Sequence, residues 1–266
     1  MNNHTLVNYL LHLADDALIL GHRNSEWCGH GPALEQDIAL SNIALDLIGQ
    51  ARNFYQYAAT IINLEDTVSL HASDIKPATE DSLAYLRNAE EFKNCLLVEQ
   101  LNGDWGKTIM RQFLFSTYQY YLYLHLQKST DVQIAAISAK ALKEVTYHVR
   151  WSSEWVIRLG DGTDESHSRM INALNELWAF TEEMFIATDY ETQCIEEGIS
   201  IDLPLLKKQW KEKIQTVFQQ ATLPVPKING IDLTHLNGKK GRHTPYLNEL
   251  LSEMQFLQRT FPGCDW

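Results

Sequence analysis

The sequence predicts an all-α fold in which amphipathic helices pack into a bundle. Apolar residues recur at every third or fourth position over most of the chain, and no alternating run rich in Val, Ile and Thr indicates a strand. Residues 131–160 are apolar on more than one face, which is typical of a central bundle helix. With 266 residues, 45% of them hydrophobic, the chain can form a single large domain over residues 1–266.

Two long helices are predicted in the first quarter of the chain. Thr5 can cap the first, residues 5–21, and the breaker-rich residues 22–32 separate it from the second, residues 33–62. Both have apolar residues at helical spacing, namely Leu6, Leu10, Leu13, Ala17 and Leu20 in the first and Leu40, Ile43, Leu47, Ala51, Phe54, Ala58 and Ile61 in the second. Each helix should therefore bury one face.

The middle of the chain continues the helical pattern. A loop is predicted over residues 64–80 because Pro77 breaks that pattern. The helices predicted after it cover residues 81–99, 104–129, 131–160 and 166–188. The third of these ends at Gly160 and Gly162, which form a clear stop signal.

The last third of the chain contains two further predicted helices. Asp202 and Pro204 suit the opening of a helix over residues 202–221. Residues 221–243 contain two prolines and three glycines and are predicted to form an extended arm. Thr244 and Pro245 then open a terminal helix over residues 244–261.

A carboxylate and an imidazole interrupt the apolar stripe of the helix over residues 131–160. Glu144 and His148 share this stripe with Ile134, Ile137, Ala141, Trp151 and Trp155. Inward-facing Glu and His residues are what a carboxylate-bridged di-iron centre in a helical bundle uses, and such a centre takes Glu-x-x-His from each of two helices. None of the ten histidines has a glutamate three residues before it. The simpler interpretation is a buried His148 hydrogen-bonded to Glu144 one turn earlier.

Two aspartates could complete a remnant of such a site. Asp15 lies beside Asp16 in the middle of the first helix and either points inward or faces solvent. Asp46 and Gln50 belong to a polar stripe on the second helix, with no histidine at ligand spacing there. The sequence therefore predicts no bound metal, and the vestigial ligand candidates are Asp15, Asp46, Glu144 and His148.

Composition limits the remaining function classes. A net charge of -12 and a pI near 5.2 argue against nucleic acid and anionic membranes as partners, and they suit a basic or neutral protein partner. The four cysteines form no Cys-x-x-Cys motif, and no apolar segment is long enough to span a membrane, so a cytoplasmic protein is expected. The one concentration of positive charge is an arm with Lys239, Lys240 and Arg242. It could bind a phosphate or an acidic partner, or form salt bridges at an interface.

Five segments of the chain carry a family resemblance: residues 24–32, 37–52, 92–100, 137–148 and 238–241. Together they resemble the C subunits of ring-1,2-phenylacetyl-CoA epoxidases. The resemblance implies a ferritin-like, up-down four-helix bundle with additional C-terminal helices. It also implies a structural, non-catalytic subunit for phenylacetate degradation, with no cofactor of its own, that supports a paralogous catalytic subunit carrying the di-iron centre.

The resemblance further implies residues that contact the CoA ester. These are Glu91, Phe92, Lys93 and Asn94, and Thr192, Gln193 and Cys194. Two other functions remain open at this stage. One is an autonomous metal-dependent oxygenase using Asp15, Asp46, Glu144 and His148, and the other is a homo-oligomeric helical scaffold. The sequence leaves the stoichiometry of a complex and the docking of a reductase undetermined.

Overall fold

Helices form the regular structure of this chain. The computed structural model describes residues 3–64, 77–226, 237–262 and 264, and within them the one β feature is an isolated bridge between Asn237 and Arg242. The helices are α1 (Asn3–Ser25), α2 (Leu34–Leu64), α3 (Glu80–Tyr85), α4 (Leu96–Glu99), α5 (Trp105–Leu126), α6 (Val132–Gly160), α7 (Asp164–Leu177), α8 (Asp189–Glu196), α9 (Leu203–Gln220), α10 (Pro245–Met254) and α11 (Phe256–Thr260). The predicted all-α class is confirmed.

Helices α1, α2, α5 and α6 form an up-down, ferritin-like bundle. Helix α1 packs along α2, α5 packs along α6, and α2 contacts α6. Helices α2 and α6 are antiparallel, because Trp155 near the end of α6 donates to Gln36 near the start of α2, while Tyr57 donates to Asp131 at the opposite end. Helices α7 and α9 cover α5, and α8 covers α1.

Helix α1 is enclosed by the rest of the chain. Every residue from Thr5 to Gly21 is buried, including His12, Asp15 and Asp16. Burying an ionisable side chain is costly unless it is paired and hydrogen-bonded. The elements around α1 must therefore supply partners for these three groups, and this requirement determines the structure of the segments that contact α1.

The single helix predicted over residues 81–99 is wrong. Helix α3 ends at Tyr85, a 3₁₀ turn covers Ala89–Glu91, and α4 begins only at Leu96. Phe92 and Cys95 at the two ends of the intervening stretch have extended backbone angles. Helical hydrogen bonds are replaced here because backbone N–H groups of this stretch donate to carboxylates from distant parts of the chain.

Other elements also differ from those predicted. The helix predicted over residues 166–188 ends at Leu177 and gives way to 3₁₀ turns, and the unpredicted helix α8 follows. The terminal helix is divided at Gln255 into α10 and α11. Within the predicted arm, residues 227–236 lie outside the described residues, as do residues 65–76 of the predicted loop. Among the described helices, none has the length and hydropathy that crossing a membrane requires.

Candidate functional site

Four polar residues face one another along the contact between α2 and α6, and we call them the bundle seam: Asp46, Gln50, Glu144 and His148. The Nε2 atom of His148 lies 3.0 Å from Oδ2 of Asp46, and the Gln50 amide donates to Glu144 at 2.9 Å. His148 is fully buried, whereas the side chain of Asp46 is 37% exposed. The predicted pairing of His148 with Glu144 is therefore wrong, because each of the two residues pairs with α2 instead.

The interior side of the bundle seam is lined by neutral groups. Gln119 on α5 donates to Gln50 and to the Tyr123 hydroxyl, each at 3.1 Å. Amides therefore lie where a di-iron centre would need carboxylates, and Glu144 already accepts a hydrogen bond from Gln50. No group of three or more His, Cys, Asp or Glu side chains within residues 3–64, 77–226, 237–262 and 264 could hold a metal ion. The side chains of the bundle seam do not fit a di-iron centre.

Asp15 belongs to a different part of the molecule. Its carboxylate accepts hydrogen bonds from the Arg87 guanidinium and from the Tyr55 hydroxyl, and all three side chains are buried. The guanidinium also lies 4.2 Å from the centre of the Phe92 ring. Burial disfavours the charged guanidinium, but the charge and hydrogen bonds of Asp15, together with Tyr55 and Glu91, outweigh burial and raise the pKa of Arg87. Asp15 is therefore engaged in a buried ion pair, away from the bundle seam.

Three buried carboxylates hold the extended stretch between Phe92 and Leu96 against α1. Asp15 accepts the N–H of Lys93, Asp16 that of Cys95 and Glu183 that of Leu96, each at 2.7 Å. On the opposite side of the same backbone, the Lys93 carbonyl lies 2.8 Å from Nδ1 of His12. Charge-assisted hydrogen bonds of this kind are stronger than neutral ones. They replace the helical hydrogen bonds that this stretch lacks.

The positively charged arm inserts one lysine into the same region. Lys239 is 1% exposed, and its ammonium lies 2.9 and 3.0 Å from the two oxygens of Glu191 on α8. Burial opposes ionisation of Glu191, but Lys239 and His12 outweigh it, so the pKa of Glu191 is lowered. Lys239 is therefore buried in an ion pair with Glu191. Lys240 and Arg242 are exposed, and Nζ of Lys240 lies 3.9 Å from Asp189.

A second contact fastens the arm next to Lys239. Nδ1 of His243 lies 2.7 Å from Glu99, which also accepts the backbone N–H and the hydroxyl of Thr244, each at 2.7 Å. Burial acts to lower the pKa of His243, but the hydrogen bond and the charge of Glu99 outweigh it and raise this pKa. We call the connected ionisable groups around α1 the ionic network: His12, Asp15, Asp16, Arg87, Glu99, Glu183, Glu191, Lys239 and His243.

The residues predicted to contact a CoA ester lie beside the ionic network. Phe92, Asn94 and Cys194 are completely buried. The side chains that reach the surface are Glu91, Lys93, Thr192 and Gln193. The ammonium of Lys93 lies 5.7 Å from the centre of the Tyr190 ring, so the first predicted segment meets α8, which carries the second. Burial lowers the pKa of Lys93. Of the seven residues predicted to contact the CoA ester, four therefore have accessible side chains.

Sequence reasoning missed most of the ionic network. The missed residues are His12, Arg87, Glu99, Glu183 and Glu191. One local signal was present, because Thr188 and Glu191 form the capping box that starts α8, and Thr-x-x-Glu is readable in the sequence. Each of the other missed residues has at least one partner far away along the chain, as Arg87 has in Asp15, 72 positions away. No local pattern identifies such partners.

Comparison with known proteins finds sequences similar to this chain. A family model described as phenylacetic acid catabolic protein matches residues 1–266. The chain is 45% identical over 261 residues to the C subunit of the 1,2-phenylacetyl-CoA epoxidase of Escherichia coli (strain K12). That alignment covers 98% of this chain and 99% of the relative.

Proposed function

Because this chain belongs to the phenylacetic acid catabolic protein family, we propose that it is a structural subunit of an epoxidase that acts on phenylacetyl-CoA. In this proposal the oxygen chemistry takes place on a paralogous catalytic subunit that holds the di-iron centre. This chain keeps that subunit in its active arrangement. The proposal rests on the sequence relationship together with the chemistry of the bundle seam.

The observation that carries the non-catalytic role is the donor set of the bundle seam. Oxygen activation at a di-iron centre needs several carboxylates and two histidines around two metal ions. Here Gln50 and Gln119 contribute amides, His148 is paired with Asp46, and Glu144 accepts a hydrogen bond from Gln50. The Glu144 carboxylate therefore has the amide N–H of Gln50 where a metal ligand would have a cation.

The iron content of the complex tests this assignment. The chain and the catalytic subunit are purified separately and together, loaded with ferrous iron without oxygen, and analysed for iron per chain. We expect iron to follow the catalytic subunit and to be absent from this chain alone. Two irons bound by the isolated chain, with oxygen consumption, would establish the autonomous oxygenase instead. Failure of the two chains to associate would favour the homo-oligomeric scaffold.

A contact with the CoA ester is the finer part of the proposal. The four accessible side chains beside the ionic network include Lys93, a cation that can pair with a phosphate of CoA. The carboxylates and His12 that hold the backbone of this stretch fix the position of Lys93. We propose that this face of the chain lies against the CoA portion of the substrate in the complex.

Replacing Lys93 tests the CoA contact. In the assembled complex, Lys93→Gln should raise KM for phenylacetyl-CoA about fivefold with little change in kcat, since a partly exposed ion pair contributes about 1 kcal/mol. Lys208→Gln is the matched control, because Lys208 is an exposed lysine on α9. Equal KM values for the two variants would remove Lys93 from the substrate contact.

A further inference from the structure

Helix α2 has an uncharged, exposed stripe at its N-terminal end. Leu34, Ile38 and Leu45 are 73%, 51% and 66% exposed, and at about 3.6 residues per turn they fall on one face of the helix. Ser41 and Asn42 lie between them on the same face. Isolated exposed leucines are normal on protein surfaces, but three aliphatic side chains in register on one long helix resemble a packing ridge.

Gly49 continues this stripe one turn beyond Leu45. A glycine inside a helix destabilises it by about 0.5–1 kcal/mol relative to alanine. Packing within the chain does not explain this glycine, since a Cβ atom added there would meet nothing within 4 Å. A small residue on an exposed helix face allows the backbone of another helix to approach closely.

Helix α6 extends the same face. The bundle-seam residues of α2, Asp46 and Gln50, face the bundle-seam residues of α6, Glu144 and His148. In each helix, the residue just before a seam residue is rotated by about 100° away from the contact between the helices. Because α2 and α6 are antiparallel, this rotation brings the preceding residues of both helices to the same side of the pair. The preceding residues are Leu45, Gly49, Lys143 and Tyr147, and all four are exposed. We call the surface formed by these four residues with Leu34, Ile38 and Lys140 the α2–α6 face.

The charge of the α2–α6 face is opposite to that of the whole chain. Lys140, Lys143 and, next to the face, Arg150 are exposed, and none of them forms an ion pair with another residue of the described part of the chain. The guanidinium of Arg150 lies 5.6 Å from the centre of the Tyr147 ring. Glu154 follows one turn later as an exposed acid. In a protein of net charge -12, this is a local cationic surface beside an apolar ridge.

Resting on the proposed function, we propose that the α2–α6 face is the surface to which the catalytic subunit of the epoxidase docks. The partner surface is expected to be an apolar helix ridge flanked by carboxylates that meet Lys140 and Lys143. A second copy of this chain is a poorer occupant. It would bring the same lysines to the contact. Of its carboxylates there, Asp46 and Glu144 already have hydrogen-bond partners, which leaves the exposed Glu154 as one acid against Lys140, Lys143 and Arg150.

Two variants test this surface without depending on each other. Leu45→Glu places a charge at the centre of the ridge and should weaken binding of the catalytic subunit at least about 30-fold, as expected for a hot-spot residue. Gly49→Trp should weaken binding similarly by blocking close approach. Because Gly49 is exposed, a Cβ atom there would meet nothing within 4 Å, and glycine is a poor helix former, this second variant should unfold at the same temperature as the parent chain or a higher one.

Matched controls use helix α9. Leu205→Glu charges a leucine that is 46% exposed, and Gln215→Trp adds the same bulk at an exposed position. Affinity for the catalytic subunit is measured by interferometry, and the oligomeric state by light scattering. Loss of affinity in Leu45→Glu and Gly49→Trp, but in neither control, is the expected result.

The other outcomes overturn the inference in distinguishable ways. If the parent chain binds the catalytic subunit and both test variants bind equally well, the docking surface is elsewhere and the proposed function stands. If the parent chain forms a homodimer that Leu45→Glu dissociates, the occupant is a second copy. If the parent chain does not bind the catalytic subunit at all, the proposed function fails and the inference fails with it.

Discussion

The bundle seam and the ionic network both bury polar groups against the central helices, but they do so with different chemistry. The bundle seam uses neutral amides and one hydrogen-bonded histidine–aspartate pair whose aspartate is 37% exposed. The ionic network uses fully enclosed pairs such as Asp15 with Arg87 and Glu191 with Lys239. A fully buried charge is costly unless an opposite charge and hydrogen bonds stabilise it, whereas a partly exposed group is also stabilised by water. The strongest electrostatic constraints in this chain therefore lie around α1 and not where a metal centre would be.

This difference assigns separate roles to the two regions. The ionic network joins four separate parts of the chain to one buried helix: the stretch after Phe92, the 3₁₀ turn at Glu183, α8 and the arm at Lys239. Those elements position the proposed CoA contact. The bundle seam joins α2 and α6, the two helices that form the α2–α6 face, and Gln119 links it to α5. Three pairs of variants sharpen this contrast.

The largest difference is expected between two aspartates. Asp15→Asn leaves the buried guanidinium of Arg87 without its counter-ion and should lower the free energy of unfolding by about 3–5 kcal/mol. Asp46→Asn removes a partly exposed pair and should cost less than about 1 kcal/mol. Urea unfolding followed by circular dichroism measures both. Similar losses for the two variants would mean that the two regions contribute alike to stability.

A smaller effect is expected from the two adjacent lysines of the arm. Lys239→Met leaves Glu191 with the N–H and hydroxyl of Thr188 as remaining donors, so the expected loss is about 2–4 kcal/mol. Lys240→Met removes an exposed lysine and should change stability by less than about 0.5 kcal/mol. Thermal unfolding of both variants at one pH measures the two losses of stability. A loss confined to Lys240→Met would contradict the buried position of Lys239.

The smallest effect is a pH dependence that belongs to His243. Because the folded protein raises the pKa of this histidine, its contribution to stability is complete below the unfolded pKa of about 6.5 and is lost as pH rises through the folded pKa. The difference in unfolding free energy between the parent chain and His243→Gln should therefore shrink as pH increases above 6.5. The opposite trend would mean that Glu99 does not stabilise the imidazolium.

His22 provides an internal comparison of opposite sign. Burial lowers the pKa of His22 to about 4, so the unfolded chain binds the proton more tightly. Stability should therefore fall as pH decreases from about 6.5 towards 4, and His22→Gln should reduce this fall. Unfolding free energies of both histidine variants over one pH series separate the effect of His22, below about pH 6.5, from that of His243, above it.

Local sequence patterns were sufficient for the bundle and insufficient for the ionic network. The helices α1, α2, α5, α6 and α9 follow apolar periodicity, caps and glycine stops, all of which are short-range signals. The apolar residues between Phe92 and Val98 gave the same signal, yet α4 begins only at Leu96, and before it the backbone is extended at Phe92 and Cys95. Its N–H groups are bound by Asp15, Asp16 and Glu183, and only the folded chain brings these carboxylates to the stretch.

In the bundle seam, too, local sequence patterns predicted the position of side chains but not their partners. The sequence placed Glu144 and His148 in one stripe, and both do lie on the seam. Their partners on α2 could not be predicted, because the register of α2 against α6 determines whether His148 meets Asp46 or Gln50. The missing Glu-x-x-His motifs, in contrast, were visible in the sequence because they concern residues within one helix.

In the proposed function the bundle seam of this chain takes no part in oxygen activation. The most direct measurement is the turnover of the reconstituted complex containing the double variant Asp46→Asn, Glu144→Gln, with assembly verified by light scattering. We expect a rate of phenylacetyl-CoA epoxidation within about twofold of the parent complex, because in the proposed function neither carboxylate contacts the reacting atoms. A loss of about 100-fold or more in an intact complex would show that these carboxylates serve the reaction itself.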